Sequence, residues 1–68
     1  MSFNANTFYA NKYRARAWDD LAEARDIKDR AAEGKAYDWE IPRIAFFVKM
    51  ARSSMHIHLN YKRIGELA

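Results

Sequence analysis

The residues best suited to chemistry in this sequence are two histidines, a run of carboxylates and a pair of serines. His56 and His58 are the only histidines, and on a helix two residues at this spacing point about 200° away from each other. They therefore cannot share a metal ion as an i,i+4 pair does. We expect His56 to lie among exposed basic residues and His58 to form a hydrogen bond at an interface.

The carboxylates and serines do not form a catalytic pattern. The clustered acids are Asp19, Asp20, Glu23, Asp26 and Asp29. A di-iron bundle site requires Glu-x-x-His motifs on facing helices, and no glutamate here has a histidine at that spacing. Ser53 and Ser54 lack the histidine and acid that would activate a nucleophile, and two isolated glycines cannot build a phosphate loop. We therefore predict a protein that is not an enzyme, with no metal site, no cofactor and no small-molecule substrate.

The composition limits what can hold the fold together. A chain of 68 residues has room for a core worth roughly 3–5 kcal/mol, and the absence of cysteine excludes disulfides and thiolate metal sites. Residues 44–48 form the longest uncharged apolar run, far below the roughly 20 residues of a membrane span. The first six residues resemble no secretory signal. We expect no membrane partner, a cytoplasmic location and stabilisation by association.

The elements that must position these residues are two helices separated by Gly34. Residues 6–33 contain no glycine or proline and are rich in strong helix formers. Asn4 or Asn6 can cap the start, and Gly34 suits the left-handed position that follows a helix. Alanines within the apolar stripe recur every seven residues, which predicts close packing against a second helix. They are Ala10, Ala17, Ala24 and Ala31.

The second predicted helix, residues 39–64, has an apolar surface too wide for one partner helix. Asp38 is its predicted cap, Pro42 fits its first turn and Gly65 is its predicted stop. The set expected to face the first helix is Ile44, Val48, Ala51, Met55 and Leu59. A second apolar set is Phe46, Met50, Ile57, Tyr61 and Ile64. Because the two sets cover about 220° of the helix, the prediction is an all-α antiparallel hairpin, a single domain over residues 1–68, that dimerises into a four-helix bundle.

An alternative interpretation concerns residues 55–62, where apolar and polar residues alternate strictly. That period is typical of a half-buried strand. No other segment offers a strand to pair with, and a lone strand leaves its backbone groups unsatisfied. The strand would require two copies of the chain paired across a dimer axis.

Two kinds of partner follow from these patterns. The predicted function is a small protein-binding module, such as an adaptor, an inhibitor or a subunit of a larger assembly. Its partner or oligomer interface consists of Phe46, Met50, Ile57, Tyr61 and Ile64, joined by Trp18, which lies off the main stripe of the first helix. The alternative is RNA or DNA binding, because a narrow basic strip follows the polar side of the second helix. The strip contains Lys49, Arg52, His56 and Arg63.

Overall fold

Two long helices make up the fold in the computed structural model, which describes residues 4–67. Helix α1 covers Ala5–Ala32 and helix α2 covers Ile41–Leu67. His58 contacts Ala10 near one end of the pair and Glu40 contacts Arg30 near the other. The helices are therefore antiparallel, and the prediction of an all-helical hairpin is confirmed.

Both ends of α1 carry the signals expected from the sequence. The side chain of Asn4 accepts hydrogen bonds from the amides of Asn6 (3.0 Å) and Thr7 (3.2 Å), which satisfies two donors that a helix start leaves unpaired. At the other end Gly34 has a φ of 71°. The amide of Gly34 donates to the carbonyl oxygen of Ala31, and the amide of Lys35 donates to the carbonyl oxygen of Arg30. These two hydrogen bonds form a Schellman motif that ends the helix.

The limits of α2 differ from the predicted ones at both ends. The helix begins at Ile41, and Asp38 lies in the preceding turn and is not its cap. The carbonyl of Glu40 instead accepts the amide of Arg43 (2.9 Å). Gly65 does not stop the helix, which continues to Leu67. A Cβ at Gly65 would lie 3.5 Å from the Cβ of Asn6, so this glycine lies where the two helices come close together.

Residues 55–62 are helical throughout, and the alternative interpretation of this segment as a strand is wrong. The helix satisfies the backbone groups that a lone strand would leave open. Residues two positions apart lie on nearly opposite sides of a helix. Apolar and polar residues alternate here because apolar side chains occupy both flanks of the side of α2 that faces α1. Neither helix of the described chain is long and apolar enough to cross a membrane.

We call the residues that lie between the helices the seam. On both α1 and α2 they are spaced alternately by three and four positions. This is the spacing of two helices that pack along their whole length. On α1 the seam contains Asn6, Ala10, Tyr13, Ala17, Asp20, Ala24, Ile27 and Ala31. On α2 it contains Ile44, Phe47, Ala51, Ser54, His58, Tyr61 and Gly65. All of these residues are buried or half-buried.

Small side chains fill the centre of the seam. Ala17 is fully buried, with 0% of its surface exposed, and Ala51 and Ser54 are also buried. The expected close packing along the alanine heptad is therefore present, with Ala31 only half-buried at the end of the row. The expected α2 stripe is partly wrong, because Leu59 is 53% exposed. Ser54 and His58 occupy the seam instead, and Val48 and Met55 lie half-buried beside it.

Candidate functional site

Polar groups in the seam are paired within the hairpin. The Nδ1 of His58 lies 2.6 Å from the carbonyl oxygen of Ala10, so Nδ1 carries the proton and donates it to that oxygen. This confirms the predicted hydrogen bond of His58 at a helix interface. His56 is exposed.

Tyr61 is engaged by α1. Its ring stacks on Tyr9 with centroids 5.5 Å apart and on Tyr13 with centroids 6.0 Å apart. Aromatic pairs at such distances contribute beyond simple area burial. Of the residues assigned to the predicted partner interface, Tyr61 therefore lies at the seam and contributes to the hairpin itself.

An ion pair closes the loop end of the hairpin. Arg30 donates to both carboxylate oxygens of Glu40, at 2.9 and 2.6 Å, and its Nε donates to Asp26 at 3.0 Å. The Arg30 hydrogen bonds and the Tyr37 amide lower the pKa of Glu40 to about 2. Hydrogen bonding to Glu40 and Asp26 raises the pKa of Arg30 above its ordinary value. The pair holds the start of α2 against the last turn of α1, so its role is structural.

One outward side of α2 exposes large apolar side chains that the hairpin covers only in part. Phe46 is 53% exposed, Met50 43% and Ile64 52%, with Ile57 half-buried between them. Their spacing of four and seven residues places them on one side of the helix. We call this side of the hairpin, including the α1 residues beside it, the Met50 face.

The α1 part of the Met50 face carries charges of both signs in two separate blocks. The helical period places these residues on the side away from Leu21 and Lys28. Basic residues come first along the helix and acidic residues follow. The row reads Lys12, Arg16, Asp19, Glu23 and Asp26. All five are exposed.

The opposite side of the hairpin is concave, and we call it the groove face. Three concavities follow one another along it, with volumes of about 350, 400 and 350 Å³. The central concavity is formed by both helices and is mainly apolar. Its lining is Ala17, Leu21, Val48, Ala51, Arg52 and Met55. Trp18 (54% exposed) and Leu59 lie beside it at helical spacing from Leu21 and Met55.

Basic side chains dominate the charged lining of the groove face. The cations are Arg14, Arg25, Lys28, Arg52 and Lys62. Asp29 and Glu66 are the carboxylates in the lining, and each lies in an outer concavity. None of the five cations forms an ion pair within residues 4–67. The groove face is therefore cationic, whereas the charges of the Met50 face nearly balance.

The predicted site residues divide among different surfaces. Phe46, Met50, Ile57 and Ile64 lie together on the Met50 face. Trp18 lies across the hairpin on the groove face, so the structure does not bring it to the other four. The predicted basic strip of Lys49, Arg52, His56 and Arg63 is exposed along α2. Sequence reasoning missed the groove face, although Leu21 and its flanking cations at helical spacing were a visible signal.

No cluster of three or more metal-ligating side chains converges among the residues that the structure describes. Comparison with protein-family models, with curated proteins and with solved structures finds no match to this chain. The described residues form two different surfaces on opposite sides of a narrow hairpin.

Proposed function

We propose that this chain is a non-enzymatic protein-binding module that pairs with a second copy of itself through the Met50 face to form a four-helix bundle. The observation that carries the proposal is the exposure of Phe46, Met50 and Ile64 on one side of α2. Exposed apolar side chains that share one side of a helix favour association. A row this long on a hairpin of 68 residues is best covered by another helix.

Charge complementarity favours a second copy as the partner. If the α1 helices of two copies lie antiparallel across a two-fold axis, each residue of one copy lies opposite the residue of the other copy that is equally far from the axis in the opposite direction along the sequence. An axis midway between Ala17 and Trp18 sets Arg16 opposite Asp19 and Lys12 opposite Glu23 of the second copy. The basic block of each chain then faces the acidic block of the other.

One apolar pair of α2 is compatible with the same axis. Phe46 and Ile57 are equally far from a point midway between Ala51 and Arg52, so an axis there sets Phe46 of one copy opposite Ile57 of the other. Ala17 lines the central concavity together with Ala51 and Arg52, which places the two midpoints at the same level of the hairpin. The charged blocks of α1 and this one apolar pair of α2 are therefore compatible with a common two-fold axis, as an isologous dimer requires.

Light scattering on the purified protein tests the dimer. The Met50→Glu variant places a charge within the apolar row, and we expect it to lower the mass to that of one chain while helix content is retained. Leu59→Glu is the matched control, because it adds the same charge at a similarly exposed apolar position of α2 on the other side. A dimer that survives Met50→Glu would contradict the assigned face.

Reversal of paired charges tests the orientation. Lys12→Glu and Glu23→Lys each place like charges opposite each other twice per dimer, so each variant should dissociate about tenfold more readily. The double variant exchanges the two signs and should return close to the parent dissociation constant. These residues are too far apart on α1 to contact within one chain, so rescue would report contact between copies. Losses that simply add in the double variant would exclude this orientation.

Nucleic-acid binding is the second candidate, favoured by the exposure of the whole basic strip. None of its residues forms an ion pair in the described part of the chain. Binding of labelled RNA or DNA should weaken steeply with salt and after Arg52→Ala or Arg63→Ala. Absence of binding at low salt would exclude this candidate.

A further inference from the structure

We propose that the groove face is a docking site for an acidic amphipathic helix of another protein. This inference goes beyond self-association, because the groove lies on the side of the hairpin away from the Met50 face. Two parallel ridges with an apolar depression between them form the surface on which a third helix packs. The central depression supplies that shape, with Leu21, Val48 and Met55 half-buried along it.

Charge decides which occupant the groove accepts. Five cations line the groove face against two carboxylates, and the central section contains Arg52 and no carboxylate. A second copy that presented its own groove face would bring like charges together, which is unfavourable. An occupant with carboxylates along both edges would meet Arg25 and Lys28 on the α1 side and Arg52 on the α2 side.

The apolar part of the groove distinguishes a helix from a polyanion. The surface of the central concavity is mainly apolar, and Trp18 and Leu59 extend it with large exposed side chains. A phosphate backbone would leave this surface uncovered, whereas the apolar stripe of an amphipathic helix would cover it. The distance from Arg14 to Lys28 along α1 corresponds to about 21 Å at 1.5 Å per residue, so about four helical turns of the partner would fit.

Fluorescence anisotropy with two labelled synthetic peptides tests the proposal. Both peptides are helices of about 15 residues with one leucine stripe; glutamate fills the flanking positions of the first and lysine those of the second. The full chain is expected to bind the glutamate peptide, more weakly as salt rises, and to leave the lysine peptide unbound. Equal binding of both peptides, or of neither, would overturn the proposal.

Matched charge reversals locate the site. Arg52→Glu changes a cation that lines the groove, and Lys49→Glu makes the same change three residues away, where the side chain is exposed and outside the groove lining. Arg52→Glu should weaken binding of the glutamate peptide about tenfold, while Lys49→Glu should change it less than about twofold. Equal losses would show that general positive charge attracts the peptide and would overturn a defined groove.

Two further measurements distinguish an acidic helix from other ligands of the groove, and distinguish peptide binding from dimer formation. Single-stranded DNA and anionic lipid vesicles should not displace the glutamate peptide at physiological salt; displacement by either would assign the groove to that ligand class instead. The Met50→Glu variant should bind the peptide as the parent does, since the two faces are opposite. Loss of peptide binding in that variant, with its helix content intact, would contradict the independence of the two faces.

Discussion

Ala17 is the most completely buried alanine of the seam. It is completely buried in the seam, and Ala51 and Ser54 across the seam are buried as well. Replacing Ala17 by leucine adds three carbon atoms where the two backbones come close together. The helices must then separate locally, which also loosens contacts one heptad away at Ala10 and Ala24.

The expected size of this effect follows from overpacking in well-packed cores. Extra methylene groups typically cost about 1–3 kcal/mol, which compares with roughly 3–5 kcal/mol for the core of so short a chain. A loss of about 2 kcal/mol at an m-value of about 1 kcal/mol per molar urea lowers the urea midpoint by about 2 M. Ala17→Leu should therefore remove about half of the free energy of unfolding.

Urea denaturation followed by circular dichroism, at one fixed protein concentration, measures the change. Ala15→Leu is the matched control, because Ala15 lies two residues away on the same helix and is exposed. Its change in helix propensity is the same and is worth only a few tenths of a kcal/mol. If Ala17→Leu is as stable as Ala15→Leu, the close approach of the helices at the alanine seam is refuted.

The remaining predictions concern the loop end and the two glycines. Because its pKa is lowered from 4.5 to about 2 in the fold, Glu40 stabilises the hairpin fully above pH 4.5 and progressively less as pH falls towards 2. Glu40→Gln should remove this part of the acid sensitivity of the melting temperature, whereas Glu33→Gln, at an exposed position, should not. Gly34→Ala should destabilise the fold by about 1 kcal/mol, since its φ is 71°. Gly65→Ala should stabilise it by about 0.5 kcal/mol, because the helix there tolerates a Cβ; equal signs for the two glycine variants in urea denaturation would contradict the assigned backbone conformations.

Much of the fold could be predicted because its signals are local. Helix formers without glycine or proline define α1, and Asn4 and Gly34 mark its ends through their own backbone geometry. The alanine heptad could also be read directly, since seven-residue spacing puts every member on one side of the helix. These features depend on residues that are neighbours in sequence.

The residues of α2 that face α1 could not be identified from their apolar character alone. Apolar residues cover so much of α2 that several stripes fit the pattern, and Phe46, Met50 and Ile64 lie exposed on one flank. Small side chains fill the centre of the seam, where Ala51 and Ser54 are buried, while Leu59 is exposed. The signal in the sequence that could have identified the seam was the matching spacing of three and four residues on both helices.

The part of the candidate site that lies on a single helix could be predicted from the sequence. Phe46, Met50, Ile57 and Ile64 share a face because of helical spacing alone, and the structure places them together. Trp18 could be assigned to a side only once the partner of α1 was known. The ion pair of Arg30 with Glu40 was also not predicted, because it depends on the turn that brings α2 back to α1.

The most direct test of the account is the mass of the protein in solution, because the Met50 face is proposed to be covered by a second copy. Light scattering across micromolar concentrations should give twice the 8.0 kDa of one chain for the parent, and a single-chain mass for Met50→Glu with helix content preserved. A parent protein that remains at 8.0 kDa with full helicity at every concentration would contradict the central claim.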